Sequence, residues 1–284
     1  MGEQRRPRPH SPHSAGPAVR ALSITVDEQN VIPGALRLIR ELRPAWDLRG
    51  VHTKLFTDGI TNKLLACYVD SCMKDAVLVR IYGKRTELFV DREDEVTSFQ
   101  LLRTHGCAPE LYCTFQNGLC YEFIRGLALG PEHVRQPHIL RLIAHEMAKY
   151  HCIPAHNGCL PKAVLWQKLN KYLSILHTEE EIQDSEPDYR LLPDRETQLE
   201  WLWHYLCACR RLKGEEGEPQ DKEVDHLLIQ VNQFVLASHY FWGLWALIQY
   251  RFSDIDFNFA QYAMLRFKQY FHVKSRVTEL RDVK

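Results

Sequence analysis

The feature that most constrains this chain is the place where its hydrophobic rhythm changes. Residues 51–56, 64–70, 76–82, 111–115 and 119–124 are short runs rich in β-branched and aromatic side chains, separated by turn residues. That is the pattern of strands in an antiparallel meander. Beyond Gly130 the spacing becomes helical: residues 140–151, then Leu199, Leu202, Trp203 and Leu206, then a long segment from Val224 through Val235 to about Tyr250. A last helix follows Ser253-Asp254-Ile255-Asp256, which reads as a capping box. The chain is therefore expected to be α+β, with sheet first and helices after.

Shorter signals fill in this outline. Gln116-Asn117-Gly118 reads as a hairpin turn between the last two strands, and residues 91–103 read as a helix with Val96, Phe99 and Leu102 on one side. Upstream, Leu22, Ile24 and Val26 alternate like a strand, and a helical pattern after Pro33-Gly34 stops at Pro44. Residues 1–20 are rich in Pro, Arg, His and Ser and are expected to be a disordered tail. The expected divisions are 21–130 for the sheet lobe, 131–176 for the first helices, 177–187 for an acidic junction with Glu179, Glu180, Glu181, Asp184 and Glu186, and 188–284 for the last helices.

With 284 residues, 45% hydrophobic, the chain has ample material for a core. Lys plus Arg and Asp plus Glu both number 36, so bulk charge attracts neither nucleic acid nor an anionic membrane, and a small molecule or protein is the expected partner. Nine cysteines without a CxxC pair, in a chain with no apolar leader, imply reduced thiols and a cytoplasmic location. The most apolar run, residues 235–248, has only 14 residues and includes Ser238 and His239, too short for a membrane span.

One constellation carries chemistry. Asp58-Gly59-Ile60-Thr61-Asn62 is a small polar turn between two β runs, suited to cradling phosphate oxygens with backbone N–H groups. Arg80 sits between Val79 and Ile81 in the next strand, where a cation needs a counter-charge. A phosphate and Glu95, near the start of the following helix, are the candidates. Trp242 and Trp245 share a helix face further on, and although π faces can bind a cation, such aromatic stripes on apolar helices more often serve a core.

Several extended stretches resemble ethanolamine kinases of the choline/ethanolamine kinase family: Pro33-Gly34-Ala35, residues 56–64, 106–112, 118–124, 188–199, 238–242 and 266–271. The resemblance runs from about Val31 onward. It implies a protein-kinase-like fold, a sheet N-lobe with a helical C-lobe, and transfer of the ATP γ-phosphate to the hydroxyl of ethanolamine, a step toward phosphatidylethanolamine. It implies that Asp58, Gly59, Thr61 and Asn62 lie over the ATP phosphates and that Arg80 contacts them while pairing with Glu95. Tyr121, Glu122 and Phe123 would form the hinge beside adenine. Trp242, Trp245, Phe257 and Tyr262 would surround the substrate ammonium.

The same resemblance exposes a gap. The family carries a His-x-Asp followed, after four further residues, by Asn, and a later metal-binding aspartate. Here no His is followed two residues on by Asp, and no Asp five residues on by Asn. Residues 169–173 match the family upstream of that region and Asp188-Tyr189 downstream of it, so the catalytic segment is expected to be missing as a block, as alternative splicing would remove it. Catalytic and metal-ligating residues are therefore expected to be absent, with Mg ligands lost and ATP bound weakly if at all. Asp256-Phe257-Asn258 is no substitute metal motif, because it opens the last helix. A non-catalytic or regulatory role, including dimerisation with an intact relative, is the competing reading.

Overall fold

The computed structural model describes residues 19–56, 61–154, 163–176, 187 and 192–279. Its contacts separate a sheet unit, residues 1–57, 63–82 and 92–124, from a helical unit, residues 58–62, 83–91 and 125–284.

The sheet unit holds β1 (Arg20–Leu22), β2 (His52–Phe56), β3 (Asn62–Tyr68), β4 (Val77–Tyr82), β5 (Leu111–Phe115) and β6 (Gly118–Glu122), with helices α1 (Val31–Leu42) and α2 (Arg92–Thr104). Strand order is β1-β5-β6-β4-β3-β2. The sheet thus has six strands where five were expected. The sixth, β1, joins β5 in parallel, and only the first part of the Leu22, Ile24, Val26 alternation is strand. Val26 is instead held by Asn117, whose side chain both accepts from the Val26 N–H (3.0 Å) and donates to its carbonyl (2.8 Å).

Alternation decides the two faces of β4. Val77, Val79 and Ile81 are fully buried in a cluster with Ala35, Leu38 and Ile39 of α1 and with Leu65, Cys67, Cys113 and Cys120. Leu78, Arg80 and Tyr82 point the other way, toward contacts with α2. Burial alone pushes the Cys67 thiol up to about 12, marking that layer as dry. Gly118 is required where β6 begins: a Cβ there would lie 2.1 Å from the Arg80 carbonyl oxygen and 2.3 Å from the Phe115 ring.

The helical unit contains α3 (Pro131–Val134), α4 (Pro137–His151), α5 (Leu165–Ile175), α6 (Arg195–Lys213), α7 (Asp221–Phe252) and α8 (Phe259–Glu279). Helices α3 and α5 were not anticipated from the sequence. Asp194 starts α6 by accepting from the Thr197 N–H at 2.8 Å, and Gly214 ends it at φ 71°. Glu223 accepts from the Gln220 N–H at 2.8 Å, capping α7, and binds Arg210 of α6 at 2.8 Å. The last helix starts later than expected: Ser253 caps only a turn, accepting from the Ile255 N–H, and Asn258 accepts from the Gln261 N–H at 2.9 Å. No helix among the described residues is long and apolar enough to cross a membrane.

Residues 83–91 follow β4 in sequence yet pack with the helices. Lys84 pairs with Asp254, Arg85 lies 4.6 Å over the Phe252 ring, and Phe89 meets Tyr172 edge-on at 5.6 Å.

Candidate functional site

In the sheet unit the cation expected on β4 finds its carboxylate. Arg80 Nη2 donates to Glu95 Oε1 of α2, and the two side chains are only 21% and 17% exposed. The second Glu95 oxygen accepts from Arg92 at 3.1 Å. Arg92 lies 3.5 Å over the Tyr82 ring, and Arg80 lies 5.8 Å from it. Two guanidinium groups thus share one carboxylate on this face of the sheet. Burial, and next the Glu95 charge, pushes the Tyr82 hydroxyl up to about 12. Arg92 was missed by the sequence reading. Its signal was the three-residue spacing to Glu95 at a helix start, which the surrounding charges disguised.

Arg80 has capacity left. Its Nε is buried and has no hydrogen-bond partner among the described residues. A buried guanidinium N–H in that state suits an anionic acceptor such as a phosphate oxygen.

The other nucleotide-site candidates divide. Asp58 and Gly59 lie outside the described residues. The Asn62 side chain is already engaged: its Oδ1 accepts from the Gly83 N–H at 3.4 Å and its Nδ2 donates to Thr61 Oγ1 at 3.1 Å. The Thr61 carbonyl also sits 2.0 Å from where a Gly83 Cβ would be, so this turn closes tightly on Gly83. On β6, Tyr121 packs against Phe99 of α2 at 5.4 Å, and burial raises its pKa. Glu122 accepts from the Glu110 N–H at 3.0 Å and gives its own N–H to the Glu110 carbonyl at 2.9 Å. Phe123 stacks on Phe56 with centroids 6.1 Å apart. These contacts hold residues 121–123 as a firm edge.

In the helical unit the four aromatic candidates come together. Trp242 meets Trp245 edge-on at 5.3 Å, Trp245 meets Tyr262 at 6.4 Å, and Tyr262 meets Phe257 at 6.0 Å. The chain of rings continues through Phe241 to Tyr172. Trp245 is buried at 6% exposure, whereas Trp242 and Phe257 are 40% and 37% exposed. The inner ring belongs to the core, and the outer two offer π faces to solvent. Among the described residues no group of three or more His, Cys, Asp or Glu is arranged to hold a metal. Of the 177–187 junction only Pro187 is described, so its expected character lies outside the described residues.

A family model described as choline/ethanolamine kinase matches residues 53–189 and 184–271. The chain belongs to the choline/ethanolamine kinase family. Mouse ethanolamine kinase 2 is 46% identical, covering 93% of this chain and 86% of that protein. Human ethanolamine kinase 1 is 44% identical, covering 93% and 77%. In solved structures, Plasmodium vivax ethanolamine kinase superimposes with a TM-score of 0.70 at 18% identity, covering 89% of this chain and 92% of that one. A choline kinase from Cryptosporidium parvum gives 0.67 at 19% identity, covering 88% and 97%. These two show the kinase-like fold.

The family match comes in two pieces that meet at residues 184–189. The alignment with the mouse relative spans 339 positions, of which 93% of this chain's 284 residues fill about 264, leaving about 75 to the relative alone.

Proposed function

We propose that this chain is an ethanolamine-kinase chain that keeps the nucleotide-facing sheet and the aromatic pocket of the family and lacks the segment that performs phosphoryl transfer. The family reaction is ATP-dependent phosphorylation of ethanolamine. The observation that carries the reading is the break in the family match at 184–189, in a sequence with neither His-x-Asp nor Asp followed five residues later by Asn.

The residues present fit a nucleotide without completing its chemistry. Arg80, held by Glu95, has a buried unpaired N–H for a phosphate oxygen. Residues 121–123 offer the ordered edge that an adenine needs. Trp242 and Phe257 present rings to a small ammonium group, each worth about 0.5–2 kcal/mol depending on desolvation. ATP with Mg, when bound, supplies the transferable phosphoryl group and neutralises its charge. What the chain does not supply is a base at the ethanolamine hydroxyl, a loss of about 10²–10⁴ in rate by itself, or the metal ligands on which phosphoryl transfer depends.

Purified chain given ATP, Mg and ethanolamine should form no phosphoethanolamine above a mock preparation, and any ATP binding should be weak and indifferent to chelator. Inserting the relatives' segment between Leu176 and Asp188 should restore turnover, and Arg80→Ala in that restored protein should weaken ATP use. Robust turnover by the chain as it stands, abolished by Arg80→Ala, would sink the reading.

A further inference from the structure

The helical unit encloses a cavity of about 890 Å³ that the aromatic pocket does not explain. Its walls come from α4, α6, α7 and α8, chiefly through Leu140, Leu202, Leu228, Val235 and Val273, with Leu192 and Pro193 at one edge. Three buried polar atoms on lining residues have no hydrogen-bond partner among the described residues: His239 Nδ1, Arg266 Nε and Gln269 Oε1. Gln269 is 7% exposed. Arg266 is satisfied only in part, donating from Nη2 to Ser238 at 3.0 Å.

Buried polar groups in folded proteins nearly always have partners, so three orphans on two adjoining helices, among lining residues that are largely apolar, ask for an explanation. They include an acceptor, Gln269 Oε1, and a donor, Arg266 Nε. A purely apolar ligand satisfies neither. A polypeptide satisfies both, because its peptide groups donate and accept while its side chains fill the apolar remainder. The volume by itself also fits a small molecule, so the position of the cavity decides. Leu192, Pro193, Arg195, Thr197, Gln198, Trp201 and Leu202 line it immediately after the break in the family match at 184–189. Removing an internal segment leaves a hollow walled by the residues it packed against, among them those just past the cut.

We infer that this cavity is the vacated seat of a short part of the segment of about 75 residues that the mouse relative has and this chain lacks, and that the helical unit binds that segment when it is supplied as a separate polypeptide. The inference rests on the functional reading above.

The test uses the full chain and the segment that mouse ethanolamine kinase 2 carries between the stretches matching Leu176 and Asp188, fused to a solubilising carrier and titrated by calorimetry and thermal melting. Saturable one-to-one binding is expected, raising Tm by about 3 °C or more at saturation. Val235→Trp, which fills the cavity, should weaken binding at least tenfold. Gln269→Leu guards against a misfolded cavity mutant and should act with opposite signs, raising the Tm of the chain alone while weakening the segment. The chain with the segment inserted in place should bind no more of it. Absence of binding, or binding to Val235→Trp and Gln269→Leu as tight as to the unsubstituted chain, overturns the inference. So does failure of the segment to bind while anilinonaphthalene sulfonate saturates one site that Val235→Trp removes, because the cavity is then a small-molecule site. Binding is read without ATP or ethanolamine, so its failure leaves the functional reading standing. Turnover by the unsupplemented chain sinks that reading whatever the segment does.

Discussion

The sheet unit and the helical unit bury comparable kinds of side chain but finish the task differently. Around Val77, Val79 and Ile81 lies a buried apolar cluster edged by partly buried hydrophobic side chains, and the one charged group on β4 has its carboxylate. In the helical unit, Leu244, Trp245 and Ile248 form an equally dry cluster with Phe259, yet the other half of the same helices borders an open volume with His239, Arg266 and Gln269 only partly satisfied. A sheet closes its backbone hydrogen bonds within itself and needs helices only on its faces. A helical layer relies on neighbours for its packing, so loss of an internal segment shows there as hollow and orphaned groups.

The largest test of that contrast is cavity formation. Leu38→Ala, in the sealed core, should destabilise the sheet unit by about 3 kcal/mol, because the surroundings cannot collapse into the gap. Val235→Ala, on the cavity wall, should cost less than about 1 kcal/mol, since its partners on one side are already missing. Urea titration read by hydrogen exchange in each unit compares them. Equal losses would mean that the cavity wall is packed as tightly as the sheet core.

A second test concerns the ion pair. Glu95→Ala leaves two guanidinium groups without their shared carboxylate, and should destabilise the sheet unit by about 2–3 kcal/mol. Arg80→Met removes the charge and the unpaired Nε together and should cost under about 1 kcal/mol. Both should weaken binding of a fluorescent ATP analogue. If Arg80→Met proves the more damaging to stability, Arg80 serves the fold more than a ligand.

These regions were also unequally legible in the sequence. The β4 cation, its helix carboxylate and the Asn117-Gly118 hairpin could be read because each rests on a local rule: a charge inside an apolar strand, an acid at a helix start, a turn dipeptide. The β1 end of the sheet was harder. The alternation of Leu22, Ile24 and Val26 suggested a strand, but the strand is only Arg20–Leu22 and pairs with β5, more than ninety positions away, and neither that extent nor that partner is written locally. Helix α5 escaped because Leu169, Tyr172 and Leu173 were noticed for their resemblance and not for their spacing. Of the four aromatic candidates, spacing placed Trp242 and Trp245 on neighbouring turns but did not show that Trp245 is sealed inside while Trp242 faces out. The cavity was beyond sequence reading, since Gln269 looks ordinary until its amide oxygen is seen to lack a donor.

The smallest effect is the acid sensitivity of the hollow side. Burial, and next the Arg266 charge, pulls the His239 pKa down to about 4 from an ordinary value near 6.5. Between those values the unfolded chain binds a proton that the native chain refuses, so stability falls as pH drops from about 6.5 to about 4 and is flat above that window. The ring is only partly enclosed, so the loss should be about 1–2 kcal/mol after allowance for solvent screening. Asp194 and Glu223, whose pKa values are lowered from 3.8 and 4.5 by hydrogen bonds at their helix starts, withdraw stability only from the acid end of that window downward and leave its upper part to His239. His239→Phe should therefore flatten the stability curve between pH 6.5 and 4 while leaving the steeper fall below pH 4 in place. An unchanged slope in that variant would mean that His239 already has a proton-bearing neighbour or water on Nδ1, and that this side of the molecule is less hollow than its packing indicates.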